Sequence, residues 1–308
     1  MPRDPRPDPT STDASTPSAP SSASAASASA ASGSESVSEK AGPDEAIFRM
    51  QQTSEGTRIL PSPLSGGPWN PDHQHGGAVS GLLTRALDRI ESPVPMRLVR
   101  ITIEMFRGVP LRPLRIETRT TRAGKRIQSV EADLFDGATQ VARATGLRVR
   151  MDESLAELAA GAEHVPEIGP KPETIVPHRP EMGLERVPGF IRAVDIQVDR
   201  PTESGLPAHV WSRLRCRLME DEPTAPIVQL AAIADFASGT GNVLDYTRYT
   251  SINPDLSIHV LREPRSDWIG MRGITLRAAD GVGASSAELF DLEGPIGRAQ
   301  ASLLLDRR

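Results

Sequence analysis

The sequence predicts an α+β protein built as two tandem copies of one unit, a long helix wrapped by an antiparallel β-sheet. Three observations carry this reading. "ADLFDGATQVARAT" (132–145) and "AELFDLEGPIGRAQ" (287–300) align without a gap, pairing Ala132 with Ala287, Leu134 with Leu289, Phe135 with Phe290, Asp136 with Asp291, Arg143 with Arg298 and Ala144 with Ala299. The same offset of 155 residues recurs upstream, where "ITIEMFR" (101–107) meets "LSIHVLR" (256–262). Two separate segments in one register mark an internal duplication. Third, each copy sets an apolar helical stripe before a run of strand-like segments, the pattern of a helix laid on a sheet.

In the first copy a strand near 47–60 leads through a Gly/Pro loop into "GGAVSGLLTRALDRI". There Val79, Leu82, Leu83, Ala86, Leu87 and Ile90 recur at helical spacing and give one apolar face. Strands are predicted near 97–106, 113–122, 126–135 and 139–149, where "MRLVRITIEMF" and "TQVARATGLRVR" alternate with the period of half-buried strands. The second copy predicts strands near 190–199 and 208–218, a helix over 225–237, then strands near 255–262, 268–278, 282–291 and 296–305. The boundaries that follow are a Ser/Ala/Pro-rich tail over 1–42, a first unit over 43–150, a Pro/Glu/Ala-rich connector over 151–187 and a second unit over 188–308. The tail has almost nothing apolar larger than alanine, so it cannot offset its chain entropy and is predicted to be disordered.

Composition narrows the function classes. The 308 residues carry 35 basic and 40 acidic side chains, a balance that gives no support to nucleic-acid binding. No stretch resembles a signal peptide or a membrane span, so a soluble cytoplasmic protein is expected. A single cysteine, Cys216, rules out an intrachain disulfide framework and cannot hold zinc alone. There is no G-x-S-x-G elbow, which leaves a covalent serine or cysteine mechanism with little support.

One carboxylate stands out. "IVQLAAIADFASG" (227–239) is apolar nearly all round, yet holds Asp235 with no cation beside it in sequence. An isolated buried carboxylate is costly unless something receives it, and one enclosed by protein suits general-base work on a water. The repeat offset sets Ser80 opposite Asp235, so only one copy has the acid. A second constellation is "WNPDHQHGGAVS" (69–80). Its Gly76-Gly77 pair opens the first helix, where backbone N–H groups favour a developing negative oxygen. With His75 ahead of them, these glycines are read as a substrate-binding element. No further cluster of matching spacing supports a metal. The basic run "RTTRAGKR" (119–126) is read first as a solvated hairpin and second as a contact for phosphates.

These residues resemble the thioesterase-like superfamily, close to the acyl-CoA thioesterase II group, over about 45–307. The most specific parts are "PWNPDHQHGGAVSGLLTRAL", "DFASGTGN", "INPDLSIHVLREPRSDWIGM" and "LFDLEGPIGRAQASLLL". The resemblance implies a double hotdog fold and hydrolysis of an acyl-CoA thioester by activated water. It implies no cofactor, coenzyme A being part of the substrate, and it leaves room for a homo-oligomer. In the family a carboxylate in the second helix, a hydroxyl at the next strand and a glutamine in the last strand hold the water. Carried over, these roles fall on Asp235, Asn253 and Gln300, with an amide at 253 in place of the hydroxyl. Two alternatives remain at this level: an acyl-CoA-binding pseudo-enzyme, and a hydratase-like hotdog. For the latter, Ser251 and His259 stand where the catalytic pair would be sought and match it poorly.

Overall fold

The computed structural model describes residues 45–54, 56–159, 171–174, 189–201 and 207–308. The tail over 1–42 and most of the 151–187 connector lie outside the described residues.

The first half runs β1 (Ala46–Thr53), β2 (Gly56–Pro61), α1 (Gly76–Asp88), β3 (Met96–Met105), β4 (Arg115–Arg122), β5 (Ile127–Asp136) and β6 (Thr139–Arg150). The second half runs α2 (Gly189–Arg192), β7 (Val194–Arg200), β8 (Ala208–Leu214), β9 (Arg217–Met219), α3 (Pro226–Ala234) and β10 (Tyr249–Ile252). It continues with β11 (Asp255–Val260), β12 (Ile269–Arg277), β13 (Val282–Asp291) and β14 (Gly294–Arg307). Ten strands form one sheet in the order β4-β5-β6-β3-β11-β14-β13-β12-β8-β7, with β10 paired to β14. A separate three-stranded sheet has the order β2-β1-β9. Helices α1 and α3 pack on each other and against the strands, so one apolar core runs through both halves. This is the hotdog arrangement, an α+β fold of mostly antiparallel sheet.

The repeat is visible in the hydrogen-bond ladder. Ala132 faces Ala144 across β5–β6, and Ala287 faces Ala299 across β13–β14. Both hairpins shift register at the same place, between Leu134 and Phe135 and between Leu289 and Phe290. The halves join where β3 meets β11 antiparallel, and there Thr102 lies opposite Ser257, residues that the repeat makes equivalent. Their hydroxyls are 3.3 Å apart. A residue that pairs with its own copy marks a local two-fold axis through the middle of the sheet.

Alternation then decides which side chains reach the helices. On β14, Ala299, Ala301 and Leu303 are buried, whereas Arg298, Gln300, Ser302 and Leu304 are exposed on the outer face. The strand expected at 47–60 is a hairpin of two strands. The run expected at 208–218 breaks after Leu214, and its last piece leaves the large sheet to pair parallel with β1. The expected start at 190 is a helical turn, and β10 is an additional short strand.

Both helices end on features that the site uses. The N-cap of α1 is His75, with extended backbone (φ −72°, ψ 141°) and a ring nitrogen that accepts the Gly77 N–H. At the other end the buried Arg148 guanidinium donates to the carbonyls of Leu87 (2.7 Å), Asp88 (2.8 Å) and Ile90 (2.5 Å), satisfying the free C-terminal acceptors of the helix. Helix α3 has Pro226 in its first turn and gives way at Asp235 to a 3-10 turn over Asp235–Ser238, a little before the predicted end.

Candidate active site

Asp235 is 2 % exposed, and three segments of chain receive its carboxylate. Asn253 donates from Nδ2 to Oδ1 at 2.8 Å. His75 Nδ1 lies 3.1 Å from Oδ2. Gly76 supplies the third surface, since a Cβ there would fall 2.6 Å and 2.9 Å from the two carboxylate oxygens. A side chain at 76 would therefore have to displace the acid packed on it, independently of any turn.

Local structure explains why Asn253 points inward. Ile252 pairs with Leu304 in β10, whereas Ser257 pairs with Gln300 in β11, so one extra residue lies on the β10–β11 side of that ladder. A bulge of this kind re-aims a side chain beside a site. Pro254 follows, and its carbonyl accepts the Met105 N–H from the other half.

An aromatic wall closes the helix start. The His75 ring stacks on Phe190 with centroids 4.8 Å apart and is tilted against Phe236 at 5.3 Å. Phe190 comes from α2 and is fully buried. Its ring would stand 2.5 Å from a Cβ at Gly77, and the Ala232 carbonyl oxygen 2.6 Å from it. Phe190 had no periodic signal in the sequence to single it out. Its neighbour Gly189 packs against the Pro63 carbonyl and Gly66 with no room for a side chain, a contact that only the folded chain shows.

Of the residues expected to serve the site, His75, Gly76, Gly77, Asp235 and Asn253 come together. Gln300 does not. It is exposed on the outer face, opposite Ser257 and Ser286, while its inward neighbours are alanines. Strand alternation turns it away from the carboxylate, and the hairpin's register shift lies too far along the strand to bring it back. The hydratase-like pair separates as well, with Ser251 buried and His259 exposed. Cys216 is buried, and desolvation, with a smaller push from Glu45, drives its thiol pKa up to about 12. A thiol in that state is no nucleophile. In the basic run, Arg119 is paired with Glu131 and Asp133, while Arg122, Lys125 and Arg126 are exposed on the β4–β5 hairpin.

The offset of 155 residues also locates the counterpart of this cluster. Asp235 corresponds to Ser80, His75 to Leu230, Gly76 to Ala231 and Asn253 to Leu98. All four counterparts are buried, and the Ser80 hydroxyl has no partner. One of two related positions therefore holds a polar cluster, composed from both halves.

Comparison with known proteins supplies the family. The profile of the acyl-CoA thioesterase N-terminal domain matches residues 65–149, and that of the C-terminal domain matches 164–305. The chain belongs to the acyl-CoA thioesterase family. The thioesterase has no match among curated protein sequences. Among solved structures it is similar to a putative thioesterase II from Thermobifida fusca, with 15 % identity, 89 % of this chain and 97 % of that one covered, and a TM-score of 0.62. It is also similar to the acyl-CoA thioesterase II TesB2 of Mycobacterium marinum (14 % identity, 84 % and 96 % covered, TM-score 0.62). A conserved hot dog protein of unknown function from Alicyclobacillus acidocaldarius aligns at 14 % identity over 82 % and 92 %, with a TM-score of 0.62. Family membership makes the chain a thioester hydrolase, and these likenesses agree on the fold.

Proposed function

We propose that the thioesterase cleaves an acyl-CoA with a water activated by Asp235 and without a covalent enzyme intermediate. Asp235 takes a proton from water as the water oxygen bonds to the thioester carbonyl carbon. Asn253 orients the carboxylate, and through its amide the water. The carbonyl oxygen becomes negative beside the N-terminus of α1, where the Gly76–Gly77 backbone and the helix dipole favour charge. Collapse breaks the C–S bond, and the proton held by Asp235 goes to the departing thiolate, leaving a free acid and coenzyme A. No cofactor enters this scheme.

The observation that carries the reading is the enclosed carboxylate. Asp235 lies in contact with the helix start of the opposite half and is held by an amide donor, with no lysine or arginine bonded to it among the described residues. The inert Cys216 argues in the same direction, since it removes the thiol route. Thiol release from a panel of saturated, branched and aromatic acyl-CoA esters tests the proposal. Turnover of at least one ester is expected, falling steeply in Asp235→Asn. Tight binding of several esters with no release by the unmodified chain would instead favour a binding protein. That outcome has its own support in the outward-facing Gln300.

A further inference from the structure

His75 Nδ1 has two neighbours that one lone pair cannot serve together. The Gly77 N–H points at it from 3.0 Å, and Asp235 Oδ2 lies 3.1 Å away. An unprotonated Nδ1 accepts from Gly77 but then faces a carboxylate oxygen, lone pair to lone pair. A protonated Nδ1 donates to Asp235 and can no longer accept from Gly77. The ring cannot turn away easily, because Phe190 stacks on one face and Phe236 leans on its edge. Asn253 already donates to the other carboxylate oxygen, so a ring donor gives each oxygen of an ionised acid a partner.

The geometry points to His75 as a positioning residue that couples the base to the oxyanion donor. While Asp235 is ionised, the ring proton sits on Nδ1 and binds the carboxylate, and the Gly77 N–H is released to receive the thioester oxygen. When the carboxylate is removed, the proton returns to Nε2 and Nδ1 takes the Gly77 N–H as an ordinary helix cap. The two tautomers differ only in which nitrogen holds the same proton, which exchanges through solvent, so no net proton is gained or lost. The helix start is thereby opened for a substrate oxygen only when the base is ready. This inference rests on the proposed hydrolysis for its purpose, though the coupling itself is a property of the resting protein.

Two experiments on the full chain test it. Long-range proton–nitrogen spectra at pH 8, with nitrogen-15 histidine, should find the His75 proton on Nδ1 in the unmodified protein and on Nε2 in Asp235→Ala. A proton on Nε2 in the unmodified protein, or the same tautomer in both, overturns the coupling. The second experiment sets His75→Asn against His75→Ala. Asparagine is a good cap whose oxygen keeps the Gly77 N–H occupied, so kcat should fall about 100-fold, the loss typical of one oxyanion donor. Alanine leaves that N–H free and should keep more turnover than asparagine despite its weaker helix. A purely capping role gives the reverse order, and that result would sink the inference. If the unmodified chain cleaves no ester, the proposed function fails, and the spectra still decide the coupling.

Discussion

The two halves share a ladder register to the residue but use their polar groups differently. In the first half the buried polar groups hold a helix in place. Arg148 ties down the end of α1 together with Gln128, and the offset makes its counterpart Leu303, an ordinary core residue. In the second half the acid replaces a serine in the helix and interrupts it, with Asn253 where the first half has Leu98. A third contrast lies at the hairpin ends. Asp291 is fully buried and bridged at 2.7 Å by both terminal nitrogens of Arg262, whereas its copy Asp136 pairs with the exposed Arg112. The two related positions have thus diverged: one holds a polar cluster composed from both halves, the other a buried serine with apolar counterparts.

Exchanging residues between the halves breaks the comparison most severely at the acid. Asp235→Ser gives the second half the first half's residue and should lower kcat by about 10²–10⁴-fold, the usual worth of a general base. Thiol release on the best ester measures it. The reverse change, Ser80→Asp, buries a carboxylate in the copy where leucines, Leu98 and Leu230, stand at the positions of Asn253 and His75. It should create no second activity and should cost about 3–5 kcal/mol in urea unfolding. Recovery of turnover in the double exchange would mean that the halves are interchangeable after all.

Ion pairs come next. Asp291→Asn should cost about 3 kcal/mol, because Arg262 loses the buried carboxylate that receives both its terminal nitrogens, and the new NH2 faces a backbone N–H that Asp291 had accepted. Asp136→Asn should cost about 0.5 kcal/mol or less at its exposed pair. The pH dependence has a definite sign. Burial pushes the Asp291 carboxyl up, but Arg262 and the Arg265 and Glu293 amides outweigh it and hold it below its ordinary range. The pair therefore stabilises the fold at neutral pH. That contribution is lost as pH falls below the unfolded value of about 3.9 and through the folded one. Acid unfolding curves should steepen there in the unmodified protein and flatten in Asp291→Asn, with Asp136→Asn close to unchanged.

Arg148→Leu makes the first half like the second and should cost about 2–3 kcal/mol, through carbonyls left without donors at the end of α1. Gln300→Ala should have the smallest effect. An exposed outward side chain should change stability by less than about 0.5 kcal/mol and leave kcat where it was. A large loss of kcat would show that the last strand runs one residue out of the observed register.

Much of the fold is legible because the duplicated segments carry their own internal control. The Leu-Phe-Asp hairpin ends, with the same register shift in each copy, fix two four-strand blocks from sequence spacing alone. The four residues of β10 are too few to show a period, and the break at Arg215-Cys216 follows from pairing with β1, a partner some 170 residues away in the chain. At the site, Asp235 was legible as an acid with nothing in its segment to neutralise it, whereas Asn253 entered only through the family resemblance. The partnership of His75 with that acid was not legible, because three distant segments meet there and no spacing connects them. Gln300 shows the opposite limit: the resemblance assigned it to holding water, but a one-residue step on a strand reverses a side chain's face.

The pairing of β3 with β11 has a consequence for how anything reaches the buried acid. Backbone hydrogen bonds cross from one half to the other over five residue pairs, from Asp255–Glu104 to His259–Arg100, and the core continues beneath them. Such a joint makes a poor hinge, so any opening toward Asp235 is expected in the segments that flank His75 and the Asp235 turn in the chain. These are the loop over 66–75, which holds Trp69, and the stretch over 239–248, whose Tyr246 ring meets it at 5.8 Å. Amide exchange should be slowest along the central strands and fastest in those two loops, which would make the enzyme a rigid frame with a soft doorway.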